Sequence, residues 1–181
     1  MSESYTATQY LLDRANIHDT VRKLTLYYDT ANIPGLATEV FAKVVKVDYS
    51  LLTGSPVVTV DGPTWAATVG EVLAKYDSTQ HVVSNMVVDL GGQPGGGGAR
   101  QRPGRASVYG HANGHLVKAA ARGGPLMQNG VVYFIELERD AELEKEGVNP
   151  WRIVHQKVHA KGWEKGNMAV HEEAFAVMKG Q

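Results

Sequence analysis

Residues 43–50, KVVKVDYS, change character at every second position and are rich in β-branched side chains. That pattern is a strand, with Val45, Val47 and Tyr49 on one face and Val44, Lys46 and Asp48 on the other. Upstream the period is different. Ile17, Val21, Leu24 and Tyr28 fall on one stripe of a helix, and Leu11, Leu12 and Ala15 extend that stripe backwards. Thr30-Ala31-Asn32 ends it. Asn32 caps a second, short helix running to Phe41, with Pro34 in its first turn.

Downstream of the strand, Asp61-Gly62-Pro63-Thr64 opens another helix, whose apolar side is Trp65, Val69, Val72, Leu73 and Tyr76. From Thr79 the chain reads as four long strands at about 80–90, 105–121, 130–139 and 151–161, joined by hairpin-like links. Residues 91–104, GGQPGGGGARQRPG, hold seven of the twenty glycines. Strands flank them closely, so they form a mobile hairpin loop and not a domain linker. Residues 140–149 form a second, charged loop. Residues 167–179 form a last helix with Val170, Phe175 and Met178, docked over a pocket mouth or a neighbouring subunit. Helices segregated from a run of strands indicate α+β: a cone-like, curved antiparallel sheet packed with three helices from the N-terminal half around a pocket. One domain over 1–181 is expected, with the glycine loop 91–104 and a C-terminal tail 164–181 as its appendages.

The chain has 181 residues and a net charge of -1 from 18 basic and 19 acidic residues. That balance gives no footprint for nucleic acid or for an anionic membrane surface. No apolar run is long enough to span a bilayer, and MSESYTATQYLLDRANIHD lacks the basic and apolar regions of a secretory signal. A cytoplasmic protein is the expectation. Without cysteine there is no thiolate nucleophile and no Cys-bound metal.

Several motifs fail on inspection. The glycine tract matches neither phosphate-loop pattern, and Arg100, Arg102 and Arg105 read as a solvated loop. His111/His115 and His155/His159 have a spacing that suits one metal on a helix. In strands it separates the rings by about 13 Å, so no metal site is expected. No G-x-S-x-G elbow is present.

One constellation suits acid–base chemistry. Tyr28-Asp29 ends the long helix, Asp48-Tyr49 lies on the first strand, and Thr79-Gln80-His81 opens the second. Tyr109, His111, Asn113 and His115 share one face of the third. A carboxylate beside an imidazole sets the tautomer of a general base. Phenols polarise a carbonyl as its enolate forms. Plainer readings exist for each residue. Tyr28 continues a core stripe, Asp29 could cap a helix, Tyr49 could be a strand aromatic and His81 a structural histidine. His111 and His115 face solvent if the strand phase differs by one residue.

Taken in order, Tyr28-Asp29-Thr30, Val47-Asp48-Tyr49, Thr79-Gln80-His81, the polar face ending at His115, and Trp151 make the chain resemble scytalone dehydratases and the SnoaL-like polyketide cyclase group of the nuclear transport factor 2-like superfamily. The resemblance covers about residues 8 to 163. It implies a His81–Asp29 pair for proton transfer, Tyr28 and Tyr49 acting on a carbonyl by way of water, His115 assisting a leaving hydroxyl, and no cofactor. Trp65, Phe175, Asn113 and His111 are the expected substrate contacts. The Ser and Asn that the family places on the following strand have no match in Val131-Val132-Tyr133-Phe134.

Two functions compete on this reading. One is a cofactor-independent lyase, isomerase or cyclase acting on a small polyketide- or terpenoid-like molecule. The other is a non-catalytic module of the same fold that binds a small molecule or a partner. Strand 80–90 is apolar on both faces, so a homo-oligomer, dimer or trimer, is expected.

Overall fold

The long N-terminal helix α1 (Ala7–Asp29) starts at Thr6, whose hydroxyl accepts from the Gln9 backbone while Gln9 reaches back to the Thr6 N–H. This reciprocal pair satisfies two of the backbone donors a helix start leaves free. The computed structural model that shows it describes residues 4–92, 94 and 101–180. Ile17, Val21, Leu24 and Tyr28 are buried as the stripe requires.

Leu11 and Leu12 do not extend that stripe. Both are exposed, and Asp13 is buried instead. Its carboxylate accepts from Tyr5 Oη at 2.9 Å, Trp151 Nε1 at 3.0 Å and Arg102 Nη2 at 2.7 Å. A charge is tolerated there because every lone pair finds a donor. Arg102 is therefore no solvated loop residue; it also pairs with Glu144. Residues 93 and 95–100 of the expected mobile loop, Arg100 included, lie outside the described residues.

After α1, Asn32 caps the turn α2 (Ile33–Gly35), accepting from the Gly35 N–H at 3.0 Å. A π-helical stretch, Leu36–Val40, follows. It ends before Phe41, which opens strand β1 (Phe41–Asp48). Val45, Val47 and Tyr49 are buried and Val44 is exposed, as the alternation predicts. A single turn α3 (Ser50–Thr53) and an edge strand β2 (Val58–Asp61) come next; β2 has only four residues. Asp61 then caps α4 (Gly62–Leu73), as read from the sequence.

The remaining strands are β3 (Ser78–Asp89), β4 (Arg105–Val117), β5 (Leu126–Arg139) and β6 (Trp151–Gly166). The sheet order is β2-β1-β6-β5-β4-β3. All neighbours are antiparallel except β1 and β6, which run parallel and make the sheet mixed. It is curved and open, and register shifts in β3 and along β5–β6 bend it. In β3 the shift lies between Ser84 and Val87, around Asn85 at φ 49°.

Helix α1 packs against β3 and β6, and α4 packs against β1. The sheet face beneath them is called the inner face below. A short helix α5 (Ala141–Lys145) occupies the charged loop. Residues 164–166 belong to β6, so the tail begins later than expected. It forms a 3-10 turn, Met168–Val170, and helix α6 (Glu172–Lys179) against α4. Among the described residues no helix is long and apolar enough to cross a membrane.

Candidate active site

The end of α1 and the start of β3 meet at one carboxylate. Asp29 Oδ1 lies 2.7 Å from His81 Nδ1, and Asp29 Oδ2 accepts from the His81 backbone N–H at 2.6 Å. Thr79 Oγ1 adds a third donor at 2.9 Å. Burial by itself would raise the Asp29 carboxyl. The bonds from the His81 ring and backbone, with Thr79, hold it below the usual carboxylate range instead. A charged Asp29 makes Nδ1 the protonated nitrogen of His81 and leaves Nε2 as the basic one.

His81 borders a cavity between the inner face and the helices, with about 740 Å³ of atom-free space including its mouth. Its lining is mainly apolar, with His81 and the phenols among the few polar groups. Tyr28, Tyr49 and Tyr133 form one part of its wall; Tyr28 and Tyr49 meet at the fully buried Gln156, and Tyr133 joins through Tyr49. The Gln156 amide donates to Tyr49 Oη at 2.7 Å and to Tyr28 Oη at 3.3 Å, and Tyr49 Oη lies 3.2 Å from Tyr133 Oη. Burial raises all three phenols, so they stay neutral. Tyr28 Oη also lies 3.4 Å from Gln156 Oε1, and one of Tyr49 and Tyr133 donates to the other, so the hydrogen of the third hydroxyl in that chain is left for a substrate oxygen. Tyr28 also sets its ring edge-on to His81, with centroids 5.5 Å apart. Trp65 and Phe175 line the same cavity, as do Leu52, Val69 and Val72.

The third strand corrects the sequence reading. On β4 the inner face is Ala106, Val108, Ala112 and Leu116, all buried. Tyr109, His111, Asn113 and His115 point outward, one residue out of the expected phase. His111 Nδ1 pairs with Asn85 Nδ2 on the exposed side, and His115 Nδ1 accepts from Gln128 Nε2 at 2.7 Å. Neither histidine lines the cavity. Asn113 borders it, but its side chain lies over Gly130 on the outer face. The physical reason is that the inner face of β4 is made of small residues to leave space, so its more conspicuous outer face reads as the pocket. Asp48 caps the turn after β1 through Ser50 and is likewise absent from the cavity wall.

Other residues escaped the sequence reading. Asn129, paired with Gly114 of β4 and across that strand from His81, is buried in the cavity wall. A Cβ on Gly114 would stand 2.8 Å from Asn129 Oδ1. Tyr133 and Gln156 complete the phenol group. His171, from the tail, lines the cavity with Tyr76 beside it. Trp65 Nε1 and His171 Nε2 are buried without a hydrogen-bond partner. Among the described residues no three His, Asp or Glu side chains are gathered to hold a metal.

The family model for the SnoaL-like domain matches residues 9–157. The chain belongs to the SnoaL-like domain family. A sequence search of curated proteins finds no match. Among solved structures, the Kfla4162 protein of Kribbella flavida is 19% identical, with a TM-score of 0.73, over 89% of this chain and 98% of that one. A candidate scytalone dehydratase of Novosphingobium aromaticivorans is 14% identical, TM-score 0.66, over 90% and 92% of the two chains. The type 3 hexachlorocyclohexane dehydrochlorinase LinA of Novosphingobium barchaimii is 17% identical, TM-score 0.66, over 92% and 97%. At these identities the likeness is one of fold, the nuclear transport factor 2-like fold. Within this SnoaL-like domain, the Asp29–His81 pair and the phenol group stand at the cavity that the sheet and helices enclose.

Proposed function

We propose that this SnoaL-like protein is a lyase that eliminates water from a small β-hydroxy carbonyl compound, polyketide- or terpenoid-like in character, using its own side chains. The observation that carries the reading is the Asp29–His81 pair, oriented at 2.7 Å beside a cavity whose wall holds three neutral phenols. His81 Nε2 takes the proton from the carbon next to the carbonyl, and Asp29 stabilises the imidazolium that forms. A phenol of the Tyr28–Tyr49–Tyr133 group donates to the carbonyl oxygen, directly or through water, as enolate charge develops. The C–H electron pair becomes the new double bond, and the C–O pair leaves on oxygen. That oxygen takes the proton His81 collected and departs as water. Proton removal and return without C–O cleavage would make the same site an isomerase, and attack of the enolate carbon on a second carbonyl of the same molecule would make it a cyclase.

Dehydration and dehydrochlorination, two of the functions named among the fold neighbours, are both eliminations, while a further neighbour is named an aromatic ring hydroxylase. The two eliminations support a lyase without naming its substrate. The test offers the purified protein two probes. β-Hydroxytetralone loses water to a conjugated, strongly absorbing product, and hexachlorocyclohexane loses chloride. Turnover of the hydroxyketone that vanishes in His81→Ala is the expected result. Chloride release alone would exchange the leaving group while keeping the base. Binding of the ketone without turnover would turn the site into that of a non-catalytic binding module.

A further inference from the structure

The cavity holds a second imidazole, delivered by the tail. His171 is 2% exposed and sits between the 3-10 turn and α6. Its Nδ1 lies 2.9 Å from Tyr76 Oη, and its ring stacks on Phe175 with centroids 4.5 Å apart and planes 10° from parallel. The segment before it is firmly held. Asn167 donates to the carbonyls of Arg122 and Gly124, and Val170 is buried with Leu116 and Met127. The ring therefore has one position. The remaining nitrogen, Nε2, is buried and unpartnered in the wall of the cavity that also contains His81. A buried polar atom without a partner is costly, and a ring fixed this well cannot turn to find one. A substrate oxygen that reaches this part of the cavity wall would supply that partner.

We propose that His171 is a catalytic residue of this site, its Nε2 hydrogen-bonding the oxygen that leaves the substrate, and that Tyr76 is its positioning residue. The proposal rests on the lyase reading above. The Tyr76 phenol donates to Nδ1, which places the hydrogen of the neutral ring on Nε2. As the C–O bond breaks, its electron pair moves onto oxygen, and the Nε2–H stabilises that charge. His81 supplies the proton that makes water, so His171 begins and ends neutral. Burial favours that neutral state, lowering the ring to about 4; Glu164 opposes the shift and His81 adds to it. This arrangement also explains why the inner face of β4 can dispense with a histidine. Ala112, Gly114 and Leu116 line the cavity there, and the tail brings the ring they lack.

The test has two arms. In the first, kcat and KM for β-hydroxytetralone are measured for His171→Phe, His171→Gln and Tyr76→Phe. His171→Phe keeps the ring stack and should lose about 100-fold in kcat with KM little changed, as for removal of a single transition-state donor. His171→Gln restores a donor and should recover part of that loss, and Tyr76→Phe should fall between. An unchanged kcat in His171→Phe overturns the proposal. The second arm needs neither turnover nor a folded His171 variant. Imidazole nitrogens of the His81→Ala protein are followed by NMR during titration with β-hydroxytetralone or with α-tetralone, which lacks the hydroxyl. The hydroxyketone should shift His171 Nε2 and the parent ketone should not. A ring that ignores both, or responds equally to both, overturns the proposal. A hydroxyl-specific shift in a protein that turns over neither probe would refute the lyase reading and keep His171 as the hydroxyl contact.

Discussion

Asp29 holds His81 at two points, the ring at Nδ1 and the main chain at the amide N–H. The carboxylate thus fixes both the strand that carries the base and the direction in which the base points. His81→Ala should lower turnover by about 10²–10⁴-fold with the fold retained. Asp29→Asn should lose nearly as much, because an amide cannot accept from both N–H groups while holding the ring in the basic tautomer. Asp29→Ala should in addition melt earlier, since α1 and β3 lose a shared anchor. Steady-state kinetics beside a thermal melt separates the two effects.

Gln156 is the hub of the phenol group and fully buried. Gln156→Leu should cost roughly 1–3 kcal/mol, the penalty for leaving buried partners unsatisfied. Tyr28→Phe and Tyr49→Phe should each cost less in kcat than His81→Ala, because another donor remains in the group. Urea unfolding and kinetics on the same preparations would show whether stability and activity fall together only in the Gln156 variant.

Acid should destabilise the protein in two stages. The unfolded chain protonates His171 near its ordinary 6.5, while the native protein does so only at about 4. Between those values the unfolded state binds the extra proton, so stability falls as pH drops through that window, by at most roughly 3 kcal/mol. Asp13 and Asp29 titrate below the ordinary carboxylate range in the native state. Their stabilisation is present above that range and is lost as pH falls further, through their native values. His171→Gln should shrink the first stage, to which His18, also lowered by burial, contributes, and leave the second. Urea midpoints measured across the acid range would reveal it.

Gly114 lies under the base: an added Cβ would stand 2.8 Å from Asn129 Oδ1 and 3.7 Å from His81 Cδ2. Gly114→Ala should push the Asn129 side chain aside and lower kcat/KM on the order of tenfold through misplacement, with a modest change in melting temperature. An activity equal to wild type would show that Asn129 has no bearing on substrate placement.

The outer face carries exposed Val82, Val87, Tyr109 and Trp163. We propose that a second copy of the chain covers it, giving a dimer or trimer. Light scattering at micromolar concentration should report the oligomer, and Val87→Glu with Tyr109→Glu should dissociate it. A wild-type monomer would refute this.

Local signals made β1, α1 and α4 legible. Val45, Val47 and Tyr49 alternate with polar neighbours, Ile17, Val21, Leu24 and Tyr28 form a helical stripe, and Asn32 and Asp61 are capping residues. The pairing of Asp29 with His81 joins a helix end to a strand start across 52 positions. Periodicity carries no such information, and the family resemblance supplied it. The phase of β4 was misread because the cavity is lined there by Ala112 and Gly114, whose contribution is the space they leave. A hydrophobic pattern cannot mark an absence of side chain. Asn129 stands just before Gly130, where the sequence pattern starts the strand. His171 was overlooked among Val170, Phe175 and Met178, which only advertise an amphipathic tail. The parallel β1–β6 pair joins distant segments and leaves no local trace.

The extra residue in β3 has a consequence for how this strand tolerates changes in length. Before Asn85 the inward residues are His81 and Val83; beyond it they are Met86 and Val88. Excising Asn85 would restore strict alternation and keep all four facing inward, whereas excising Val82 or Val83 would keep His81 inward only with the bulge lost as well and Ser84 turned toward the cavity. A deletion at this one position should spare the contents of the site and relax only the bend of the sheet. Sequences of different length that share this architecture should place their gaps there.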